Sequence, residues 1–191
     1  MNALTVNLAG LLPLTDAQFA HLCRNNPDLR FERTADGALV IMPPAGGKSS
    51  NRNFRLTGQF FAWLETTGTG VGFDSSGGFI LPNRAIRSPD LAWIRQERWD
   101  ALSDTEREGF LPLCPDFVVE LRSPSDARAD LRAKMCEYID NGTQLGWLID
   151  PFGREVEIYR PKGQRTLVSP VSLSGEDILP GFVLALDGIL G

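Results

Sequence analysis

Apolar and polar positions along the chain change period several times, and each change marks an element. Thr15-Asp16 opens a helical stretch in which Phe19, Leu22 and Cys23 recur at helix spacing, and Pro27 lies beyond its end. Residues 30–34 and 38–42 form short strand patterns joined by Ala35-Asp36-Gly37, the composition of a hairpin turn. A Pro43-Pro44-Ala45-Gly46-Gly47 loop feeds a helix over about 50–65, with Phe54, Gly58, Phe61 and Leu64 along one side. Strands fit Val71-Gly72-Phe73, Phe79-Ile80-Leu81 and, after Ser88-Pro89-Asp90, residues 91–94. Residues 97–108 are polar helix and loop. The clearest strand is 116–122, with Phe117, Val119 and Leu121 on one face and Val118, Glu120 and Arg122 on the other. Ser123-Pro124-Ser125 breaks it, and a helix over about 126–140 ends at Asn141-Gly142. Late strands fall at 145–149 and 156–159, and 175–190 is a short closing stretch.

The order strand 116–122, helix 126–140, strand 145–149 has the length of a β-α-β unit with parallel strands. Earlier strands are joined too closely for helical crossovers and are therefore antiparallel. The expectation is an α/β (α+β) fold: a mixed central sheet flanked by helices, with an N-terminal β-hairpin. No internal repeat is present, and 191 residues suit one domain over 1–191.

Charge narrows the function. Nineteen Lys and Arg against 24 Asp and Glu give a formal charge of −5. That excludes coating nucleic acid through bulk positive charge, though not a local basic cleft. No apolar run is long enough to span a membrane, and Met1 to Leu14 has no signal-peptide pattern. Cys23, Cys114 and Cys136 are an odd, scattered set that makes neither a disulfide framework nor a zinc site, so a cytoplasmic protein with reduced thiols is expected. His21 is the one histidine, so a His-rich zinc site is excluded and a Ser-His-Asp system would rest on it alone.

Asp90 and Glu120 are acids in otherwise apolar strand contexts. Two carboxylates converging from adjacent strands would make a hard, oxygen-rich site for Mg²⁺ or Mn²⁺. The alternative is that Glu120 pairs with Arg122 or Arg87 at the sheet edge. On the following helix Leu131, Met135, Tyr138 and Ile139 form the apolar stripe, and Lys134 lies on its border. Its stem can pack on the core while its ammonium enters a cleft at the sheet. Arg128 and Arg132 either hold phosphates or form a solvated face compensated by Asp126, Asp130 and Glu137.

A set of segments together carries a family resemblance: Asp28-Leu29-Arg30-Phe31-Glu32-Arg33-Thr34, Ile41-Met42-Pro43-Pro44, Phe73-Asp74-Ser75-Ser76 and Arg87-Ser88-Pro89-Asp90. It continues through the stretch from Cys114-Pro115-Asp116 to Glu120-Leu121-Arg122-Ser123, Lys134 with Glu137-Tyr138-Ile139-Asp140-Asn141-Gly142, Gly146-Trp147-Leu148-Ile149-Asp150-Pro151 and Leu179-Pro180-Gly181-Phe182. On these residues, from about Leu14 to Leu190, the chain resembles the Uma-type family of restriction-endonuclease-like proteins. The resemblance implies the PD-(D/E)XK nuclease fold and metal-dependent hydrolysis of DNA. Pro89-Asp90 is similar to the PD element and Glu120 to the acid of the next motif. Where that motif places a lysine two residues on, this chain has Arg122, a poor replacement for a water-orienting lysine. The family is thought to supply the lysine from the next helix, where Lys134 stands, and Glu32 resembles an additional acid of the pattern.

The resemblance thus implies one Mg²⁺ or Mn²⁺ held by Asp90, Glu120 and the backbone carbonyl of Leu121. Lys134 would orient water and Arg122 would contact the scissile or a neighbouring phosphate. Arg84, Arg87, Arg122, Arg128, Arg132 and Lys134 would line a basic groove for DNA if they share a face. Two other readings stand beside this one: an inactive nuclease-fold module that binds DNA or a protein partner, and a structural or oligomerisation protein. A homodimer would suit cleavage of both strands.

Overall fold

The computed structural model describes residues 4–8 and 14–190. Of the N-terminal stretch read for a signal peptide, residues 1–3 and 9–13 lie outside the described residues. The chain begins with β1 (Leu4–Val6), α1 (Asp16–Asn25), the hairpin β2 (Arg30–Arg33) and β3 (Leu39–Met42), and the long helix α2 (Gly47–Thr67). Then come β4 (Gly70–Asp74), β5 (Phe79–Ile80), β6 (Ile86–Arg87), β7 (Leu91–Arg95), α3 (Gln96–Asp100) and α4 (Asp104–Arg107). Next are β8 (Phe117–Leu121), α5 (Arg128–Asp140), β9 (Leu145–Asp150), β10 (Glu155–Arg160), β11 (Gly163–Val168), β12 (Ser172–Ser174) and β13 (Val183–Ala185).

A six-stranded sheet in the order β11-β10-β9-β8-β7-β4 forms the centre. It is mixed as expected: β8 and β9 are parallel across the α5 crossover, and the other pairs are antiparallel. The pleat of β8 sends Phe117, Val119 and Leu121 into one core, with Leu56 and Phe60 of α2 and the C-terminal Leu179, Phe182 and Leu190. Val118 faces the opposite core, with Met135 and Tyr138 of α5. Gly146 on β9 lets α5 come close, since a Cβ there would lie 2.5 Å from the Met135 methyl. A second sheet, β1-β3-β2-β6-β5, packs with α1, which a reciprocal Thr15–Gln18 capping box starts.

Two expectations are corrected. The α2 stripe of Phe54, Gly58 and Phe61 faces outward, with Phe54 78% and Phe61 58% exposed; Ser49, Leu56 and Phe60 are its buried residues. The closing stretch, expected to hold no element, contains β13 and buries Leu179, Phe182, Leu184, Leu186, Ile189 and Leu190 in the main core. Among the described residues no helix is long and apolar enough to cross a membrane.

Candidate active site

The chain passes from one sheet to the other between Arg87 on β6 and Leu91 on β7, turning through Ser88-Pro89-Asp90. This seam gathers the acids. Asp90 precedes β7 and is held from two sides. The Leu121 N–H at the end of β8 donates to Oδ2 at 2.8 Å, and Asn53 Nδ2 on α2 donates to Oδ1 at 3.1 Å. Glu120 stands on β8, on the α5 side. Glu32 comes from β2, where the Ser88 N–H donates to Oε1 at 2.9 Å and Arg87 reaches Oε2 at 3.1 Å.

Lys134 joins the two sheets. Its stem follows the apolar border of α5, and its ammonium sits 2.7 Å from Glu32 Oε1 and 2.8 Å from Glu120 Oε1. One turn on, the Tyr138 hydroxyl donates to Glu120 Oε1 at 3.0 Å. Arg87 bridges to Glu137, which also accepts from Asn83. Two cations, Arg87 and Lys134, therefore pair with three carboxylates, Glu32, Glu120 and Glu137, while Asp90 beside them is bonded only by the neutral Leu121 N–H and Asn53 and feels Lys134 and Arg30 through space.

Burial without full compensation shapes the electrostatics. Burial raises the pKa of Asp90, and the Leu121 N–H, Lys134 and Asn53 only partly oppose it. Burial likewise pushes Glu120 up to about 7; Lys134 pulls it down, while the charges of Asp90 and Glu32 add to the rise. Burial acts on Glu32 too, but Lys134 and Arg87 outweigh it and leave this carboxyl below its usual range. Burial opposes the Lys134 ammonium, yet Glu120 and Glu32 more than restore it and hold it charged.

The seam thus brings together Asp90, Glu120, Lys134 and Glu32. The Glu120 partner is Lys134 rather than Arg122 or Arg87. Arg122 is committed elsewhere: it donates to Asp150 Oδ2 at 3.0 Å and to the Asp126 carbonyl at 3.2 Å, and stacks 5.4 Å from the Phe152 ring centre. Most of the cations expected to line a basic groove are paired with acids. Arg128 and Arg132 pair with Glu157 on β10 at 2.7 and 2.6 Å, Arg128 also meets Glu155, and Arg87 is spent on Glu32 and Glu137. Their compensating acids lie on β10 and not on the helix itself. Lys48 and Arg52 in the first turns of α2 have no ion-pair partner among the described residues, and Arg52 instead faces the Phe152 ring. His21 is exposed and bonded to Asn25, and all three cysteines are free.

The residues that sequence reasoning missed are Tyr138, counted only as apolar stripe, and Asn53, one polar residue in a polar helix start. Among the described residues no cluster of three or more His, Cys, Asp or Glu has the arrangement of a metal site. A cation here would draw on the Asp90 and Glu120 carboxylates and on neutral oxygens.

Comparison with known proteins matches this architecture. A search of curated proteins finds no match. A putative nuclease belonging to DUF820 from Anabaena variabilis ATCC 29413 superposes with a TM-score of 0.77 at 20% identity, over 93% of this chain and 98% of the other, and shares the fold. The model of the Uma2 family, described as "Putative restriction endonuclease", matches residues 16–187. Spanning nearly all of the fold described above, that match makes the chain a member of the Uma2 family of putative restriction endonucleases.

Proposed function

We propose that the chain is a divalent-cation-dependent endonuclease that hydrolyses phosphodiester bonds of DNA, with Asp90, Glu120 and Lys134 as its catalytic residues. The observation that carries this reading is their meeting, from three separate elements, in one buried cluster where acids outnumber cations. A structural ion-pair network gains nothing from such an imbalance, whereas a cation site requires it.

The donor set fits a hard cation. Asp90, Glu120 and the backbone carbonyl of Leu121 would hold Mg²⁺ or Mn²⁺, both of which prefer oxygen ligands. Such an ion, when bound, supplies Lewis acidity toward a phosphate oxygen and a more acidic water. Lys134, kept cationic by two carboxylates, orients the attacking water and offsets the charge that develops on the phosphate. Glu32 and Arg87 position Lys134, and Tyr138 fixes the rotamer of Glu120. Arg122 has no part in this scheme because Asp150 holds it. Lys48 and Arg52, on the helix that also brings Asn53 to Asp90, are cations placed to meet the DNA backbone.

The test is incubation of supercoiled plasmid with the protein, with and without Mg²⁺ or Mn²⁺. Nicking or linearisation that needs the ion and falls about a hundredfold or more in Glu120→Gln and Lys134→Ala supports the reading. A folded protein that leaves DNA intact with every divalent ion, yet shifts it on a gel, would instead favour the inactive binding module.

A further inference from the structure

Three buried side-chain polar atoms lack a hydrogen-bond partner among the described residues: Trp93 Nε1, Trp147 Nε1 and Asn53 Oδ1. The two indole nitrogens are donors inside apolar cores and have nothing to offer a cation. Asn53 Oδ1 is different in kind. It is an acceptor, and it belongs to the amide whose Nδ2 donates to Asp90 at 3.1 Å. While Asp90 is ionised, turning the amide over would set oxygen against oxygen, so this bond locks the orientation. The free oxygen is therefore held beside Asp90 by the same planar group.

Its helix explains why it stays there. Ser49, Leu56 and Phe60 are the buried residues of α2, and Asn53 lies four residues from Ser49 and three from Leu56, on the same inward face. The hydrophobic contacts of Leu56 and Phe60 with the central sheet fix the rotation of α2 and deliver Asn53 to the seam. Buried acceptors are normally bonded, and one left open beside an acid-rich cluster marks a missing partner. A neutral amide oxygen is a hard donor of the kind that completes carboxylate-based divalent sites.

We propose that Asn53 is a third protein ligand of the cation site, its Nδ2 orienting the Asp90 carboxylate and its Oδ1 binding the divalent ion. This rests on the cation-dependent reading above and names a residue that the motif acids do not include. The competing occupant of Oδ1 is a buried water, which would leave cation affinity independent of the oxygen.

Mn²⁺ alone is the probe, titrated against the full chain with free Mn²⁺ read by electron paramagnetic resonance. Melting temperatures are measured without and with the ion. The native chain should bind and Asp90→Ala should not. Asn53→Leu, close to isosteric, should bind about tenfold more weakly or worse while its metal-free melting temperature is unchanged or higher. Asn53→Asp, which keeps an oxygen but loses the donor, should recover affinity. If Asn53→Leu binds like the native chain while Asp90→Ala does not, the proposal is overturned and the cation site stands. Equal weakness of Asn53→Leu and Asn53→Asp would assign the role to the N–H and overturn the ligand assignment. Absence of Mn²⁺ binding by the native chain would remove the cation reading itself, and this inference with it.

Discussion

Helix α5 serves two buried acidic clusters, and they are built on opposite terms. Toward β10 and the end of β9, Asp150, Glu155 and Glu157 meet Arg122, Arg128 and Arg132, three acids with three arginines. Glu157 also accepts from the Tyr159 hydroxyl at 2.6 Å. Burial alone would raise its pKa, but bonds from Arg132, Tyr159 and Arg128 overcome this and bring Glu157 down to about 2. Toward the seam, Glu32, Glu120 and Glu137 pair with only two cations, Asp90 is bonded by neutral groups alone, and burial leaves Asp90 and Glu120 raised. The same physical cost is repaid in one place and left open in the other. The balanced cluster is architecture; the unbalanced one is where the proposed cation would sit.

The largest effect that sharpens this contrast comes from Lys134→Met. It strips Glu32 and Glu120 of the ammonium they share, and breaking a buried pair from one side costs about 3–5 kcal/mol. Denaturant unfolding in mildly alkaline buffer should register that loss, along with the loss of cleavage. Unchanged stability would mean that the ammonium compensates nothing, and the contrast would collapse.

Glu157→Gln comes next. It removes charge-assisted bonds to Arg128 and Arg132 and should cost about 1–3 kcal/mol. Cleavage per folded molecule should stay at the native level, because the change lies on the balanced side. A variant of native stability that no longer cuts DNA would exchange the roles of the two clusters.

The pH dependence separates the clusters more gently, through opposite slopes. Glu120 is raised from 4.5 to about 7, so its contribution to stability is fully present below the unfolded value and is lost as pH rises through about 7. Glu157 is lowered from 4.5 to about 2, so its contribution is present above the unfolded value and is lost as pH falls toward 2. Melting temperature followed against pH should show Glu120→Gln flattening the alkaline flank and Glu157→Gln the acid flank. Identical profiles for the two variants would contradict the assignment.

How much of this was legible in the sequence follows from which signals were local. The β8-α5-β9 unit declared itself through period and punctuation, and with it the border position of Lys134 and the face that Glu120 shares with Val118, though not that this face too is buried. The face of α2 did not, because two of its four inward positions near the start, Ser49 and Asn53, are polar, while Phe54 and Phe61 sit outside. Aromatic size imitated a buried stripe and chemistry hid the real one. Three-residue strands such as β12 and β13 carry too little period to register, so the C-terminal contribution to the core went unseen. Glu32 came from family resemblance alone, since nothing local says that a hairpin strand will meet a helix 102 residues away. The partners of Arg128 and Arg132 were misassigned for the same reason: charge balance on one helix is visible in the sequence, but balance across to β10 is not.

The smallest expected effect tests the unbalanced cluster from its other acid. Asp90→Asn removes a buried charge but keeps a side-chain oxygen for the Leu121 N–H. The new amide also carries a donor, and Asn53 can turn to accept it, exchanging its present bond to Asp90 for one of opposite direction. The exchange of bonds is close to neutral and removal of the buried charge favours the fold, so stability should hold or rise by about 1 kcal/mol, a shift of roughly 2–4 °C in melting temperature for a chain of this size. Cleavage should disappear, since a neutral amide cannot replace the carboxylate toward a cation. A site that becomes more stable when its acid is neutralised is one where the fold sacrifices stability for chemistry. A fall in melting temperature comparable to that of Glu157→Gln would instead place Asp90 among the structural acids, and the distinction between the two ends of α5 would rest on Glu120 alone.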